Sequence, residues 1–170
     1  VIRKNENAIA EYHSYSEKDY NFWLNHYSRD LNVTKKWAIG DFARPLLKYV
    51  KGKYPIGRFP YSAVKAVLDN SRKNPRIFVN LKCDERLCRE LGAPKNIQII
   101  YTLSENGLQI DLSWFGKDSN RLTEAIYMRL FPANGNIKLK KLEDTIEPNS
   151  VISNGSRNLH AVSAAELIAD

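Results

Sequence analysis

The chain has 170 residues, of which 43 % are apolar and 26 % are charged, and its formal net charge is +7. These values are ordinary for a globular chain that is long enough to bury one core, so we do not expect an intrinsically disordered protein. No apolar run approaches the roughly 20 residues of a membrane-spanning helix, and the first residues lack the apolar segment of a signal peptide. Because the chain starts at Val1 without a Met, we expect it to be part of a longer protein.

The positive charge is concentrated in one block, which runs over residues 35–76. This block holds eleven Lys or Arg against two acids and so carries +9, whereas the rest of the chain carries −2. A basic block can bind nucleic acid, a membrane surface or an acidic protein face. The block can equally be a solvated surface. Because its bases are spread among Pro, Gly and aromatic residues and are not lined along one helix face, nucleic-acid binding is not the favoured interpretation.

The first predicted elements are a strand of mixed polarity over residues 8–15 and a helix that follows it. Ser16 is a suitable N-cap and Asp19 completes a capping box. Five apolar residues then fall on one face of a helix of about four turns, as expected for a helix that packs against a core. They are Tyr20, Trp23, Leu24, Tyr27 and Leu31.

Residues 32–60 contain repeated Gly and Pro, so we expect loops with short elements there. Two strands are predicted after them, over residues 61–68 and 76–81, around a polar turn at residues 70–75. A short helix over residues 84–91 should end at Gly92, which is a suitable C-terminal stop.

The strongest local signal is a β-hairpin between residues 97 and 115. Apolar residues alternate along both arms, and Asn106-Gly107 between them is typical of a type I′ turn. A two-residue loop at this dipeptide pairs Leu103 with Ile110 and places Asp111 on the opposite, more polar face. The same register pairs Tyr101 with Leu112 and Ile99 with Trp114.

Three more strands are predicted before the end of the chain, over residues 124–131, 137–142 and 158–162. Pro132 should end the first of them. Residues 164–169 are predicted to be either a frayed helix or a chain end.

The usual catalytic and metal-binding motifs are missing from this sequence. The three histidines are far apart, no phosphate-binding glycine loop or nucleophile elbow occurs, and Cys83 and Cys88 have no nearby histidine. Two cysteines five residues apart are best interpreted as small apolar residues near a helix. Paired carboxylates for glycoside hydrolysis remain open, since their separation is a property of the fold.

Two short motifs carry candidate binding residues. In the first, Arg121 and Glu124 of RLTEA follow Trp114, and such a set can bind sugar hydroxyls; a strand-edge ion pair is the favoured alternative. In the second, a turn at residues 154–157 precedes a predicted strand that carries His160. A lone histidine is more often structural than catalytic.

Six segments together resemble the C-terminal part of an uncharacterised family related to the family 38 glycoside hydrolases, the α-mannosidases. The resemblance covers residues 8–162, most of the chain. The segments are YSEKDY at 15–20, WA…DF…P at 37–45, LGAP at 91–94, WFGK at 114–117, RLTEA at 121–125 and NG…LHAV at 154–162.

The resemblance implies a mainly β fold, an antiparallel β-supersandwich similar to galactose-mutarotase-like domains, with one or two short helices. It also implies one domain over residues 1–170, downstream of a mannosidase-like catalytic domain that would hold the nucleophile and any zinc. We expect no catalytic residue, metal or cofactor on this chain itself. Carbohydrate contacts are expected at Trp114, Arg121, Glu124 and His160.

Two other functions stay open. One is a free-standing basic module that binds an anionic polymer, either nucleic acid or an acidic polysaccharide. The other is a mutarotase-like sugar enzyme with Glu124 or His160 as acid or base, which requires two groups placed across a bound sugar. The sequence favours the mannosidase-like setting, with the catalytic domain and carbohydrate as partners and with no membrane contact.

Overall fold

The computed structural model describes residues 8–27, 32–33, 55–120, 122–130, 136–151, 153 and 162–168. The fold is mainly β, with antiparallel sheets and a few short helices, as the sequence predicts. By contacts, the chain divides into two compact units, 1–129 and 130–170, and each is described here by itself. The single domain over residues 1–170 and the galactose-mutarotase-like architecture stay predictions.

Among its described residues, the first unit has seven strands in two sheets and two helices. β2, β1 and β7 form a three-stranded sheet in that order, and β3, β4, β5 and β6 form a four-stranded sheet. The strands are β1 Ala10–Ser14, β2 Gly57–Pro60, β3 Ser62–Asp69, β4 Arg76–Lys82, β5 Asn96–Ser104, β6 Gly107–Phe115 and β7 Glu124–Met128. The helices are α1 Glu17–Tyr27 and α2 Glu85–Leu91.

Both helices begin where the sequence predicts. At α1 the Asp19 carboxylate accepts a hydrogen bond from the Ser16 backbone N–H at 2.8 Å, and the Ser16 hydroxyl oxygen accepts one from the Asp19 N–H at 3.2 Å, which is the reciprocal arrangement of a capping box. At α2 the Asp84 carboxylate accepts from the Arg86 N–H, and Gly92 ends the helix at φ +67°. Tyr20 is buried as expected, but Trp23 is 42 % exposed.

The hydrophobic core of this unit is shared by the inner faces of both sheets and by α2. Burial here is the main favourable contribution to folding, because each large apolar side chain removed from water contributes about 1.5–3 kcal/mol. The buried members are Ala10, Tyr12, Tyr61, Val79, Leu81, Cys83, Leu87, Leu91, Ala93, Ile97 and Ile99.

The central hairpin forms, but the predicted register is wrong by two residues. Tyr101 pairs with Ile110 and Ser104 with Gly107, whereas the sequence analysis paired Leu103 with Ile110. A type I′ turn needs positive φ at both central residues, and Asn106 does not have it; only Gly107 does, at φ +120°. A shift of two leaves every side chain on its predicted face, because side chains alternate with period 2.

The second unit contains a three-stranded sheet in the order β10, β8, β9, together with the four-residue helix α3 Pro148–Val151. Its strands are β8 Asn136–Lys141, β9 Asp144–Ile146 and β10 Ala164–Ile168. The prediction of a frayed helix or chain end at residues 164–169 is wrong, since β10 pairs antiparallel with β8. The predicted strand at 158–162 lies almost wholly outside the described residues.

The turn between β8 and β9 is not predicted from the sequence. Leu142 and Glu143 both take positive φ, at 51° and 73°. Leu and Glu are uncommon in this conformation, so the sequence gives no turn signal. As a result, β9 is not among the strands predicted from the sequence.

Candidate functional site

The candidate site lies on the outer face of the three-stranded sheet of the first unit. Successive residues of a strand point to opposite faces, so β1 places Tyr12 in the apolar core and Glu11 and His13 on the other side. Across β2 the partner of His13 is Arg58, and across β7 the partner of Glu11 is Tyr127. We call the set on this face the polar site: Glu11, His13, Tyr15, Arg58, Tyr127 and Arg129.

Glu11 is the buried anion that organises the polar site. One of its carboxylate oxygens, Oε2, lies 2.8 Å from His13 Nε2 and 2.7 Å from a guanidinium nitrogen of Arg129. Burial by itself would raise the pKa of Glu11, but the His13 hydrogen bond and the Arg129 charge outweigh it, and the pKa is lowered. The carboxyl group is therefore ionised at neutral pH and accepts both hydrogen bonds.

Two tyrosine hydroxyls extend this arrangement toward solvent. His13 Nδ1 lies 3.3 Å from the Tyr15 hydroxyl, which lies 3.1 Å from the Tyr127 hydroxyl. The ring of Tyr127 also contacts the imidazole, with centroids 4.4 Å apart. Burial and the hydrogen bond with Tyr127 raise the pKa of Tyr15, against an opposing effect of Arg58. Tyr15 is therefore a neutral phenol at physiological pH.

A cavity of about 590 Å³ opens onto the polar site, and we call it the polar cavity. Its size is within the range of small-molecule sites. Its lining combines an imidazole, two guanidinium groups, two phenols and a carboxylate. The lining residues are His13, Ser14, Tyr15, Asp19, Ile56, Gly57, Arg58, Tyr127, Met128 and Arg129.

A second cavity of about 530 Å³, the aromatic cavity, shares Tyr15, Asp19 and Tyr127 with the first. Its remaining lining residues are Tyr20, Phe22, Trp23 and Thr123. The rings of Tyr20 and Trp23 contact each other with centroids 5.5 Å apart. The two phenols therefore line both the polar cavity and the aromatic cavity.

The sequence-predicted contact residues lie elsewhere or outside the described residues. Glu124 begins β7, and its carboxylate accepts hydrogen bonds from the buried Tyr12 hydroxyl and from Asn120, and pairs with Lys117 Nζ at 2.7 Å. Trp114 lies on β6 opposite Ile97 and is 53 % exposed. Arg121 and His160 fall among the residues that the structure does not describe.

The polar site is not among the sites predicted from the sequence, although the sequence contains a pattern that indicates it. Glu11, His13 and Tyr15 occupy alternate positions, and this spacing places all three side chains on the same face of a strand. From the sequence alone this stretch is predicted only as a strand of mixed polarity. The residues of β7 that pair with β1 lie at least 110 positions further along the chain, and no local sequence pattern predicts that pairing.

The two cysteines match the interpretation as small apolar residues. Cys83 is a member of the core, and burial, followed by the effect of Cys88, raises the pKa of its thiol to about 12. A thiol with such a pKa is almost wholly protonated at neutral pH and is a poor nucleophile.

The basic block of residues 35–76 falls partly among the described residues. Within that part, Arg76 forms an ion pair with Asp69 at 3.0 Å and stacks over Phe78 at 5.1 Å. Binding of an anionic polymer by the block stays a prediction.

In the described part of the chain, no group of three or more His, Cys, Asp or Glu residues is placed to hold a metal ion. Over the same residues, no helix is both long enough and apolar enough to cross a membrane. Comparison with protein-family models, curated proteins and solved structures gives no match for this chain.

Proposed function

We propose that this chain is a non-catalytic β-domain of an α-mannosidase-like glycoside hydrolase and that it binds carbohydrate at the polar site. The observation that carries the binding proposal is the pair of adjoining cavities that share Tyr15 and Tyr127. The mannosidase-like setting rests on the order of the six short sequence segments. In that setting the catalytic chemistry, and any zinc, belong to a preceding domain.

The two cavities offer the two kinds of surface that a sugar needs. A pyranose ring has apolar C–H faces, which pack on aromatic rings such as Trp23 and Tyr127. Its hydroxyl groups need donors and acceptors in fixed positions, and the guanidinium groups of Arg58 and Arg129 supply planar donors. A pocket that combines apolar walls with a few convergent polar groups is the usual form of a small-molecule site.

Calorimetric titration of the full chain with mannose and mannobiose tests the binding proposal. We expect saturable binding that weakens about tenfold in Trp23→Ala and in Tyr127→Ala, because each change removes an aromatic wall of the aromatic cavity. Phe115→Ala is the matched control, since Phe115 is a comparably exposed aromatic residue, at 53 % against 42 % for Trp23 and 45 % for Tyr127, and lines neither cavity. Equal affinity in all four proteins would overturn the assignment of the site.

The contacts predicted from sequence need their own variants. Arg121→Ala and His160→Ala should weaken mannobiose binding if these residues contact sugar, and hydrolysis of an aryl mannoside by the parent protein should slow. Unchanged affinity and turnover in both variants would remove these two residues from the proposal and leave the polar site untouched.

A further inference from the structure

A chain of hydrogen bonds in the polar site runs from the buried Glu11 carboxylate through His13 and Tyr15 to Tyr127 at the cavity. Its inner end is fixed, because an ionised carboxylate only accepts hydrogen bonds and His13 Nε2 must therefore carry a proton. Its outer end, the Tyr127 hydroxyl, belongs to a side chain that is 45 % exposed and lines both cavities. The direction of the chain is therefore set by the other imidazole nitrogen, Nδ1.

When His13 is neutral, Nδ1 accepts a hydrogen bond from the Tyr15 hydroxyl. The Tyr15 oxygen in turn accepts from the Tyr127 hydroxyl, so all protons of the chain point inward. The Tyr127 oxygen then offers the cavity only a lone pair.

When His13 is protonated, the direction reverses. Nδ1–H donates to the Tyr15 oxygen, the Tyr15 hydroxyl donates to the Tyr127 oxygen, and the Tyr127 hydroxyl is free to donate into the cavity. Only two hydroxyl hydrogens rotate, and no heavy atom has to move. One proton thus changes the outermost group of the site from an acceptor into a donor.

We propose that the polar site selects a sugar that carries a carboxylate, and that protonation of His13 strengthens its binding by turning the Tyr127 hydroxyl into a donor. This inference rests on the proposed carbohydrate binding and names the class of sugar. Arg58 would hold the carboxylate from the other side, with the paired N–H groups that a guanidinium presents to a carboxylate.

The charges that face His13 agree with an anionic ligand. They are Glu11 on β1, Arg58 on β2 and Arg129 directly after β7, and α1 contributes Asp19, whose carboxylate is already hydrogen bonded to Ser16. With His13 neutral, the two arginines balance the two carboxylates. With His13 protonated, the site has one positive charge in excess, which a ligand carboxylate neutralises.

The test compares mannuronic acid with mannose, its neutral counterpart, by calorimetric titration of the full chain between pH 8 and pH 5. Over this range the carboxylate of mannuronic acid stays ionised, so a change in affinity reports a change in the protein. We expect the affinity for mannuronate to rise about tenfold as the pH falls, which is the effect of one charge-assisted hydrogen bond, and the affinity for mannose to change less than about twofold.

Proton uptake is the second readout. If an anion binds more tightly to the protonated site, then binding must raise protonation by the same linkage. Titrations at pH 6.5 in two buffers of different ionisation enthalpy should show that mannuronate binding takes up protons and that mannose binding does not.

Two variants and one control assign the effect to the polar site. Tyr127→Phe keeps the ring but removes the donor, so it should weaken mannuronate binding about tenfold at pH 5 and little at pH 8. Arg58→Gln should weaken mannuronate binding at both pH values. Arg72→Gln removes an exposed arginine that lines neither cavity and should leave both affinities unchanged.

The possible failures are distinct. A pH-independent affinity for mannuronate, or a pH dependence that is undiminished in Tyr127→Phe, would overturn the His13 inference and leave sugar binding standing. Binding of mannose with the same pH profile as mannuronate would overturn the selection for an anion. If neither sugar binds at any pH, the proposed function and this inference both fall.

Discussion

At the residue scale, the central feature is a carboxylate buried beside an imidazole and a guanidinium. Glu11 is 4 % exposed, and its oxygen is shared by His13 and Arg129. A buried charge of this kind is costly to hold unless it is paired, so removing it leaves its partners uncompensated. The hydrogen bond with Glu11 orients the His13 imidazole, which in turn positions the Tyr15 and Tyr127 hydroxyls.

We therefore predict that Glu11→Gln lowers the free energy of unfolding by about 2–3 kcal/mol at pH 7, measured by urea denaturation. Because the folded-state pKa of Glu11 lies below its ordinary value of 4.5, this contribution is present above pH 4.5. It should be lost as the pH falls through the folded-state pKa, so wild type and variant should converge in acid.

Glu105→Gln is the control, since the Glu105 side chain is 85 % exposed in its pair with Lys73. This change should alter stability by less than about 0.5 kcal/mol. A Glu11→Gln variant as stable as wild type at pH 7 would contradict the organising role of Glu11.

At the element scale, the hairpin shows what a local pattern settles and what it leaves open. Alternation along β5 and β6 predicted correctly which side chains share a face of the sheet, because apolar burial distinguishes one face from the other. Two registers that differ by two residues satisfy that alternation equally. The choice between them depends on which turn residue takes positive φ, and Asn106-Gly107 permits more than one answer.

The observed turn predicts a specific cost at Gly107. A Cβ added there meets no atom within 4 Å, so the penalty of Gly107→Ala should be conformational, at about 1 kcal/mol. Gly92→Ala should cost more, because its Cβ would lie 3.1 Å from Asn120 Nδ2 in addition to its positive φ. Thermal denaturation of both variants checks the order, and a neutral Gly107→Ala would contradict the turn.

The candidate site illustrates a different limit of sequence analysis. The alternation of Glu11, His13 and Tyr15 is visible in the sequence, but its meaning depends on which strands lie beside β1. Those strands are β2 and β7, and the latter begins at Glu124. The pairing of strands that are distant in sequence depends on burial across the whole sheet. A short window of neighbouring residues carries no information about that burial.

At the scale of the whole molecule, the polar site and the apolar core belong to the same unit, residues 1–129. A unit that contains its own core is expected to fold by itself. We predict that a fragment of residues 1–129 unfolds in a single cooperative transition and binds mannobiose as the full chain does. Loss of the transition or of binding in the fragment would show that residues 130–170 are needed, as a single domain over residues 1–170 implies.

The most direct test of the central claim, that carbohydrate binds at the polar site, is an NMR titration of the isotopically labelled full chain with mannobiose. The account predicts saturable shifts of backbone amides around Tyr15, Arg58 and Tyr127, with small changes at the exposed Trp114. Shifts centred on Trp114 and Glu124 with none at Tyr127, or no shifts at all, would contradict it.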